Sequence, residues 1–466
     1  MNVLFYFIQN KCKTINNLSL ALRKIVSMTF RDLNLKKPLW NALDDLGYQM
    51  PTTIQAAGFN VMMSGKDTIG IAQTGTGKTL AYLLPCLCMW EFSKEPHPQI
   101  LIIVPTRELV AQVVSEVEKL STYMNVVTCG VYGGTNMNTQ ATTVLQGLDI
   151  LVGTPGRILD LAASGSLQLK HVKKVVIDEV DETLSLGFRP QLLRIFEFLP
   201  TKRQHMVFSA TLSEEVSLFL EGYLITPVRV EAARAGLPID KIDQTGYRVP
   251  NFLSKVVLLR HLIQQTEVSS KILVFVSSRA LADLLFEEVE AILTDAIGII
   301  HSNKAQNFRF DTVQKFQTGA IRVLIATDLI ARGIDVTDVS HVINFDIPES
   351  PENYIHRIGR TGRADKNGVA ITFVSEKDES ALLAIQELMQ QQLLFTEVTE
   401  DIVFTDELLE FEKPKIVIPG KTVKLPQREN RGGSFHEKKE KNKKVNVRYD
   451  HKKAMKEKYG KPKKKR

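Results

Sequence analysis

The run Ala72-Gln73-Thr74-Gly75-Thr76-Gly77-Lys78-Thr79 has the chemistry of a phosphate cradle. Small residues let backbone N–H groups turn toward phosphate oxygens, and a helix starting at such a turn adds the positive end of its dipole. The lysine neutralises β- and γ-phosphates, and the threonine hydroxyl ligates Mg2+. Far downstream, His356-Arg357-Ile358-Gly359-Arg360-Thr361-Gly362-Arg363 spaces guanidinium forks whose planar geometry fits phosphate. If both runs touch one triphosphate they come from different domains, and the ligand sits in the cleft between them.

Between these two runs, the apolar stretch Val175-Val176-Ile177 delivers Asp178-Glu179. Adjacent carboxylates repel unless a cation or proton is shared. A magnesium ion held by Asp178, with Glu179 orienting and deprotonating an attacking water, resolves the conflict. Upstream, Gly47-Tyr48-Gln49-Met50-Pro51-Thr52-Thr53-Ile54-Gln55 offers a Gln55 amide able to accept from adenine N6 and donate to N7, and a Tyr48 ring able to stack on the base. A lone glutamine or an isolated acid pair is ordinary surface, so the weight lies in their conjunction with the phosphate loop.

Such groups need rigid platforms. Short β-branched runs alternate with helical stretches, which predicts an α/β fold of parallel sheets with crossover helices. Strands are expected at 68–72, 100–104, 126–130, 149–152, 174–178, 206–209 and 228–231, then at 271–276, 296–300, 322–326, 341–345 and 369–374. A chain of 466 residues suits two or three domains. The expected division is an extension at 1–27, a first domain at 28–233, a linker at 234–243 containing Gly236-Leu237-Pro238, a second domain at 244–395, an extension at 396–430 and a disordered basic tail at 431–466. The 59 basic and 52 acidic residues give +7, yet 431–466 alone holds 16 basic and 4 acidic, a net of +12, which leaves −5 elsewhere. A tail so charged and so poor in apolar residues is expected to bind polyanions by counterion release.

Cys12, Cys86, Cys88 and Cys129 lack metal or disulfide spacing and suit a reducing compartment. No apolar run approaches the ~20 residues a bilayer-crossing helix needs, so a soluble, cytoplasmic protein is expected. Residues 1–8 are apolar and Lys11, Lys13, Arg23 and Lys24 follow, the reverse of a secretory signal's order. A start at Met28 is preferred to an organelle transit peptide, because the recognisable domain begins at Phe30.

In order and spacing, residues 30 to about 375 resemble the DEAD-box family of RNA helicases, of superfamily 2. Phe30 and 47–55 resemble the Q motif, 72–79 motif I, Asp178-Glu179-Val180-Asp181 motif II and Ser209-Ala210-Thr211 motif III. Residues 274–278 resemble motif IV, Gln306 and Arg309 the Q-x-x-R pair, 326–335 motif V and 356–363 motif VI. The resemblance implies two tandem RecA-like domains with ATP and Mg2+ between them. Phe30, Tyr48 and Gln55 would meet the adenine, Gln73, Thr74, Gly75, Thr76, Gly77, Lys78 and Thr79 the phosphates, and Thr79 and Asp178 the metal. Asp335, Arg360 and Arg363 would reach the nucleotide across the cleft, the arginines as fingers on the γ-phosphate, while Asp181, Ser209, Thr211 and His356 couple the motifs. RNA would lie on Pro105, Thr106, Arg107, Gly133, Gly134, Thr154, Pro155, Gly156 and Arg157, then on Gln306, Arg309, Thr327, Asp328, Arg332 and Gly333. Three departures stand out: Ala72 for the usual first glycine of motif I, Thr53 for the usual proline of the Q motif, and Val180 for the alanine that names the family. None removes a catalytic group. The DEAH-box group is disfavoured, since it lacks a Q motif and generally begins motif VI with glutamine.

The implied activity is that of an ATP-dependent RNA helicase. ATP and RNA together close the domains, closure bends one strand, and hydrolysis reopens the cleft. Short duplexes or RNA–protein complexes would be the targets, bound largely through the backbone without sequence preference, by a monomer. The short N-terminal region and lysine-rich tail resemble a bacterial stand-alone enzyme in ribosome assembly or mRNA decay. Phe435, Tyr449 and Tyr459, set among lysines, would help tether RNA. The alternative is an ATP-gated RNA clamp or annealing chaperone, which shares every motif, and a DNA translocase fits them less well.

Overall fold

Runs with no polar face, such as Ile100-Leu101-Ile102-Ile103, must be covered on both sides. In this computed structural model, which describes residues 28–72, 75–231, 242–293, 296–328, 339–348, 350–362, 367–399, 402–413 and Gly460, they build two sheets of seven strands each. The first comprises β1 (Thr68–Ile71), β2 (Ile100–Ile103), β3 (Thr128–Val131), β4 (Ile150–Gly153), β5 (Lys174–Ile177), β6 (Gln204–Ser209) and β7 (Val228–Glu231) in the order β3-β4-β2-β5-β6-β1-β7. The second comprises β8 (Ile242–Arg248), β9 (Ile272–Val276), β10 (Ile297–Ile300), β11 (Val323–Thr327), β12 (His341–Asn344), β13 (Gly368–Val374) and β14 (Leu394–Phe395) in the order β10-β11-β9-β12-β13-β8-β14. Neighbouring strands run parallel throughout the described residues, with helices on both faces. Alternate residues of β2 enter opposite cores, Ile100 and Ile102 on one side and Leu101 and Ile103 on the other. In β9, Ile272, Val274 and Val276 part from Leu273 and Phe275 in the same way.

The α/β architecture meets the expectation, and two strands go beyond it. β8 takes in Ile242 and Asp243, which the linker range had claimed, so that range is corrected at its end. Its polar run reads as loop in sequence, yet the whole strand pairs with β13 from Ile242↔Gly368 to Arg248↔Val374, and Gln244 Oε1 accepts from the Tyr354 hydroxyl at 3.1 Å. β14 is two exposed residues long and carries no periodicity. The chain after it stays with the second sheet: Val398, Ile402, Phe404 and Leu409 pack on its core, and the Phe252 N–H donates to Glu412 Oε1 at 2.7 Å. The expected extension at 1–27, the linker at 234–241 and the tail at 431–466, apart from Gly460, lie outside the described residues.

Open parallel sheets present their ligand sites beyond the carboxyl ends of the strands. β1 leads into the phosphate loop, β2 into Pro105 and Thr106, β3 into Gly133 and Gly134, β4 into Thr154, β5 into Asp178 and β6 into Thr211. One rim of the first sheet therefore gathers the motifs that follow its strands.

Candidate active site

After β1 the chain turns through Gly75 and Gly77, both at positive φ (81° and 85°), into the helix Lys78–Met89. Gly77 is doubly constrained, because a Cβ there would lie 2.3 Å from Gln55 Nε2. Gln55 itself sits at the third position of the helix Thr53–Met63. Its Oε1 accepts from the Thr52 N–H at 2.8 Å and its Nε2 donates to Gly77 O at 3.0 Å, so one amide ties the helix start to the phosphate loop. One Nε2 proton and one Oε1 lone pair remain for a base. Tyr48 is 43% exposed, whereas Phe30 lies in the first core at 4%, and its N–H donates to Gln49 O at 3.3 Å.

Lys78 is 6% exposed, and its Nζ has no hydrogen-bond partner among the described residues. A buried cation in that condition is costly unless an anion arrives. Facing it, Asp178 and Glu179 leave β5 at 4% and 8% exposure. Glu179 holds φ 48° and ψ 54°, the left-handed region that costs an L-residue roughly 1–2 kcal/mol. Its N–H donates to Asp178 Oδ1 at 2.9 Å, and its carbonyl accepts from Thr183 N and Oγ1 at 2.9 and 3.0 Å. The turn is locked, yet Glu179 Oε2 has no hydrogen-bond partner among the described residues. Burial raises the pKa of both acids, Glu179 to about 7, and the Lys78 ammonium opposes the rise in each. Asp178 pushes Glu179 further up, while Arg360, from the second sheet, is close enough to pull it down. Unspent Lys78 and Glu179 atoms beside Asp178 and the Thr79 hydroxyl form a donor set that fits a triphosphate with Mg2+.

Asp181 joins the acids to the end of β6. Its Oδ2 accepts from Ala210 N (3.1 Å), Thr211 N (3.0 Å) and Thr211 Oγ1 (3.2 Å), and Ser209 Oγ donates to Thr211 O at 2.5 Å. Val180 is fully buried in the second core. Tyr82, which is not among the expected site residues, is also fully buried, and burial first and then the Asp178 charge drive its pKa far up.

Across the cleft, Arg309 Nη1 lies 2.7 Å from Glu108 Oε1 with both side chains buried, and Arg107 Nη1 donates to Gln306 Oε1 at 3.3 Å. The sequence assigned Arg107, Gln306 and Arg309 to RNA. The structure pairs them with one another between the sheets, and Glu108, from the run 105–109 expected at RNA, completes the junction. Gly134 holds φ 78°, the left-handed region that favours glycine, and the Arg107 guanidinium lies against it.

Two further residues expected at RNA also have partners within the protein. Arg157 donates to Gln140 Oε1 (2.7 Å) and Thr135 O (3.0 Å), bracing the loop after β3. Asp328 accepts from Arg357 Nε and Nη2 at 2.5 and 2.7 Å. Buried charges must be paired, and these pair within the protein. Pro105, Thr106, Thr154, Pro155 and Thr327 are buried at strand and helix ends, where the Thr106 hydroxyl accepts from Leu109 N. Gly133 and Gly156 have open space where a side chain would stand. His356 is half-buried on the helix Pro351–Ile358, and Arg360 follows it at 4% exposure. Gln73, Thr74, Arg332, Gly333, Asp335 and Arg363 lie outside the described residues.

Residues 52–219 match the DEAD/DEAH box helicase family and 254–365 the helicase conserved C-terminal domain. Over 369 residues the chain is 37% identical to the DEAD-box ATP-dependent RNA helicase CshA of Bacillus subtilis, covering 79% of this chain and 74% of that protein. This chain belongs to the DEAD-box ATP-dependent RNA helicases. The helicase is also 36% identical to eukaryotic initiation factor 4A of Dictyostelium discoideum over 79% of its own length and 90% of that protein's. Among solved structures it is similar to S. cerevisiae Dbp5 bound to RNA and ADP BeF3, at a TM-score of 0.72 and 28% identity, covering 79% of this chain and 95% of that one. Family membership makes the chain an ATP-dependent enzyme with two RecA-like domains and does not favour the clamp or annealing reading. Among the described residues no helix is long and apolar enough to cross a membrane.

Proposed function

We propose that this DEAD-box helicase hydrolyses ATP in the cleft between its two sheets when RNA is bound, and that closure separates short RNA duplexes locally or remodels RNA–protein complexes. The observation that carries this reading is the buried Glu108–Arg309 pair, which joins the sheets while Arg360 stands near Glu179. Two cleft partners that leave water only on closure make closure itself a source of binding energy, conditional on what fills the site.

In this scheme Lys78 and the loop N–H groups bind the phosphates, Gln55 and Tyr48 hold the base, and Thr79 and Asp178 hold Mg2+. An ion held by them would supply positive charge against the phosphates. Glu179 orients the water and takes its proton, and the strained turn at its backbone aims the carboxylate. Arg360, with Arg363, meets the γ-phosphate as the sheets close. Asp181 relays the acid turn's position to Thr211 and Ser209. RNA runs over the rim at Gly133, Gly134 and Gly156, where open backbone suits a sugar-phosphate chain. Arg157 and Asp328, held in place by Gln140 and Arg357, would meet the same backbone. A monomer in the cytoplasm, acting on ribosome-assembly or mRNA-decay ribonucleoprotein, fits this chemistry.

The test is ATP turnover with and without single-stranded RNA, beside Glu179→Gln, together with release of both strands from a short duplex. RNA stimulation that disappears in the variant, with strand release by the parent, is the expected result. ATP-dependent retention of RNA without strand release would replace the helicase reading with a clamp.

A further inference from the structure

We propose that Glu95, His97 and His171 form a binding site for a borderline divalent transition metal, Zn2+ foremost, at the end of the first sheet opposite the nucleotide rim. Glu95 and His97 precede β2 and His171 precedes β5, at the amino ends of two neighbouring strands. The phosphate loop, the acid pair and the runs after β2, β3, β4 and β6 leave the carboxyl ends.

The backbone brings the three residues together and keeps them there. The N–H groups of Lys173 and Lys174 donate to Gln99 O at 2.8 and 3.2 Å, and Lys173 Nζ reaches Gln99 Oε1 at 3.1 Å. This clip fastens the residue two places after His97 to the residue two places after His171. Pro96 and Pro98 flank His97 and fix φ on either side of it. The Glu95 N–H donates to Ser93 Oγ at 3.1 Å, and Pro96 O accepts from Leu148 N at 3.4 Å. On the far side Gly147, at φ 100°, lies so close that a Cβ would stand 3.2 Å from Pro96 Cβ. The loop is therefore braced from both sides.

On this frame the imidazoles of His97 and His171 lie with centroids 5.0 Å apart and planes inclined by 30°. One ligand atom from each of the three residues lies within 4.8 Å of the others. Among the described residues neither imidazole nor the Glu95 carboxylate has a hydrogen-bond or ion-pair partner. A tetrahedral ion with bonds of ~2.0–2.1 Å needs donors ~3.3 Å apart. Glu95 and His171 are exposed side chains, and small χ rotations close that gap without moving the clipped backbone. Two imidazoles and one carboxylate suit Zn2+, Co2+ or Ni2+ and not Mg2+ or Ca2+, which require oxygen shells. The donor set differs in kind from the all-oxygen Thr79 and Asp178 pair, so the two sites select different ions. Bound here, the ion staples the loop before β2 to the loop before β5.

The experiment uses the full-length protein, freed of metal by a chelator and kept in millimolar Mg2+ so that the nucleotide cleft is occupied. Zn2+ is titrated calorimetrically into the parent and into the His97→Ala/His171→Ala double variant. The parent should take up one equivalent more than the variant, and Co2+ should give visible d–d absorption that the variant lacks. Its melting temperature should rise with Zn2+ by mass action, and the variant's should not. Glu95→Ala, at an exposed position, keeps the test intact should the double variant fold poorly, and should weaken the same equivalent by about tenfold or more. RNA-stimulated ATP turnover without Zn2+ should be unchanged in all three proteins. Equal Zn2+ uptake by parent and variants overturns the proposal, as does an extra equivalent that Asp178→Asn removes and His97→Ala/His171→Ala does not.

Discussion

Lys78 in the first sheet and Arg357 in the second are both buried cations, 6% and 2% exposed, and the protein treats them in opposite ways. Arg357 is answered on every side. Its Nε and Nη2 meet Asp328, its Nη1 donates to Asp346 O at 2.6 Å and Asn344 Oδ1 at 3.3 Å, and its guanidinium lies 5.1 Å from the Phe275 ring centroid. Lys78 Nζ has no hydrogen-bond partner among the described residues. A buried charge that the protein satisfies is architecture, and one it leaves open is addressed to a ligand. Arg309 stands between the two cases, because its partner Glu108 belongs to the other half of the molecule, on the helix Arg107–Leu120.

Lys78→Ala should break the first half of this contrast most visibly. With the ammonium gone, RNA-stimulated kcat/KM for ATP should fall by on the order of 10³-fold, the scale of losing a preorganised charge on a reacting phosphate. The melting temperature of the ligand-free protein should move by no more than about 3 °C, because no protein hydrogen bond to Nζ is lost. Steady-state turnover and a circular dichroism melt read the two effects separately. A large drop in melting temperature would show that Nζ serves the fold.

Arg357→Ala should do the reverse. Truncation leaves the Asp328 carboxylate partly buried and unanswered, and breaking one side of a buried pair costs about 3–5 kcal/mol. The loss should appear as a lower denaturant midpoint in the transition that reports on the second sheet, followed by a fluorophore placed there. An unchanged midpoint would mean that Asp328 finds other partners and that Arg357 is not a scaffold residue.

That division of labour was only partly legible in the amino-acid order. Strands such as β2 and β9 announce themselves, since a run apolar on both faces has one parallel-sheet solution. β8 did not, because Asp243 fell within the expected linker and the polar Gln244 and Thr245 show no strand pattern until β13 supplies the ladder. The phosphate loop and the acid pair are contiguous runs whose chemistry is local, so Lys78, Thr79, Asp178 and Glu179 could be named directly. Arg357, Arg157 and Arg309 sit in runs just as basic, but their partners Asp328, Gln140 and Glu108 are distant in sequence. Spacing alone could not tell an arginine facing a ligand from one facing a carboxylate. Glu108 carried one usable signal, an acid in the first turn of the helix Arg107–Leu120, where the dipole favours negative charge.

The smallest expected effect sharpens the same comparison through pH. Burial by itself would raise the pKa of Asp346, but the Lys255 ammonium at 3.1 Å and the Ser277 N–H and hydroxyl, each at 3.0 Å, outweigh it and hold the carboxyl below its usual value. Glu179, buried with Oε2 unanswered, moves the other way. A carboxyl whose folded pKa is depressed stabilises the fold above its unfolded value of about 3.9 and loses that contribution as pH falls through the lower folded value. Asp346→Asn should therefore be less stable than the parent at pH 7 by about 1–3 kcal/mol, the cost of weakening a buried hydrogen-bonded charge. The gap should narrow as pH drops below about 4, where the parent's carboxyl begins to take up its proton. Denaturant midpoints of both proteins across that range measure the gap. A difference that stays constant with pH would mean that Asp346 contributes by shape and neutral hydrogen bonds alone, and that the second sheet does not depend on answered charge as Arg357 suggests.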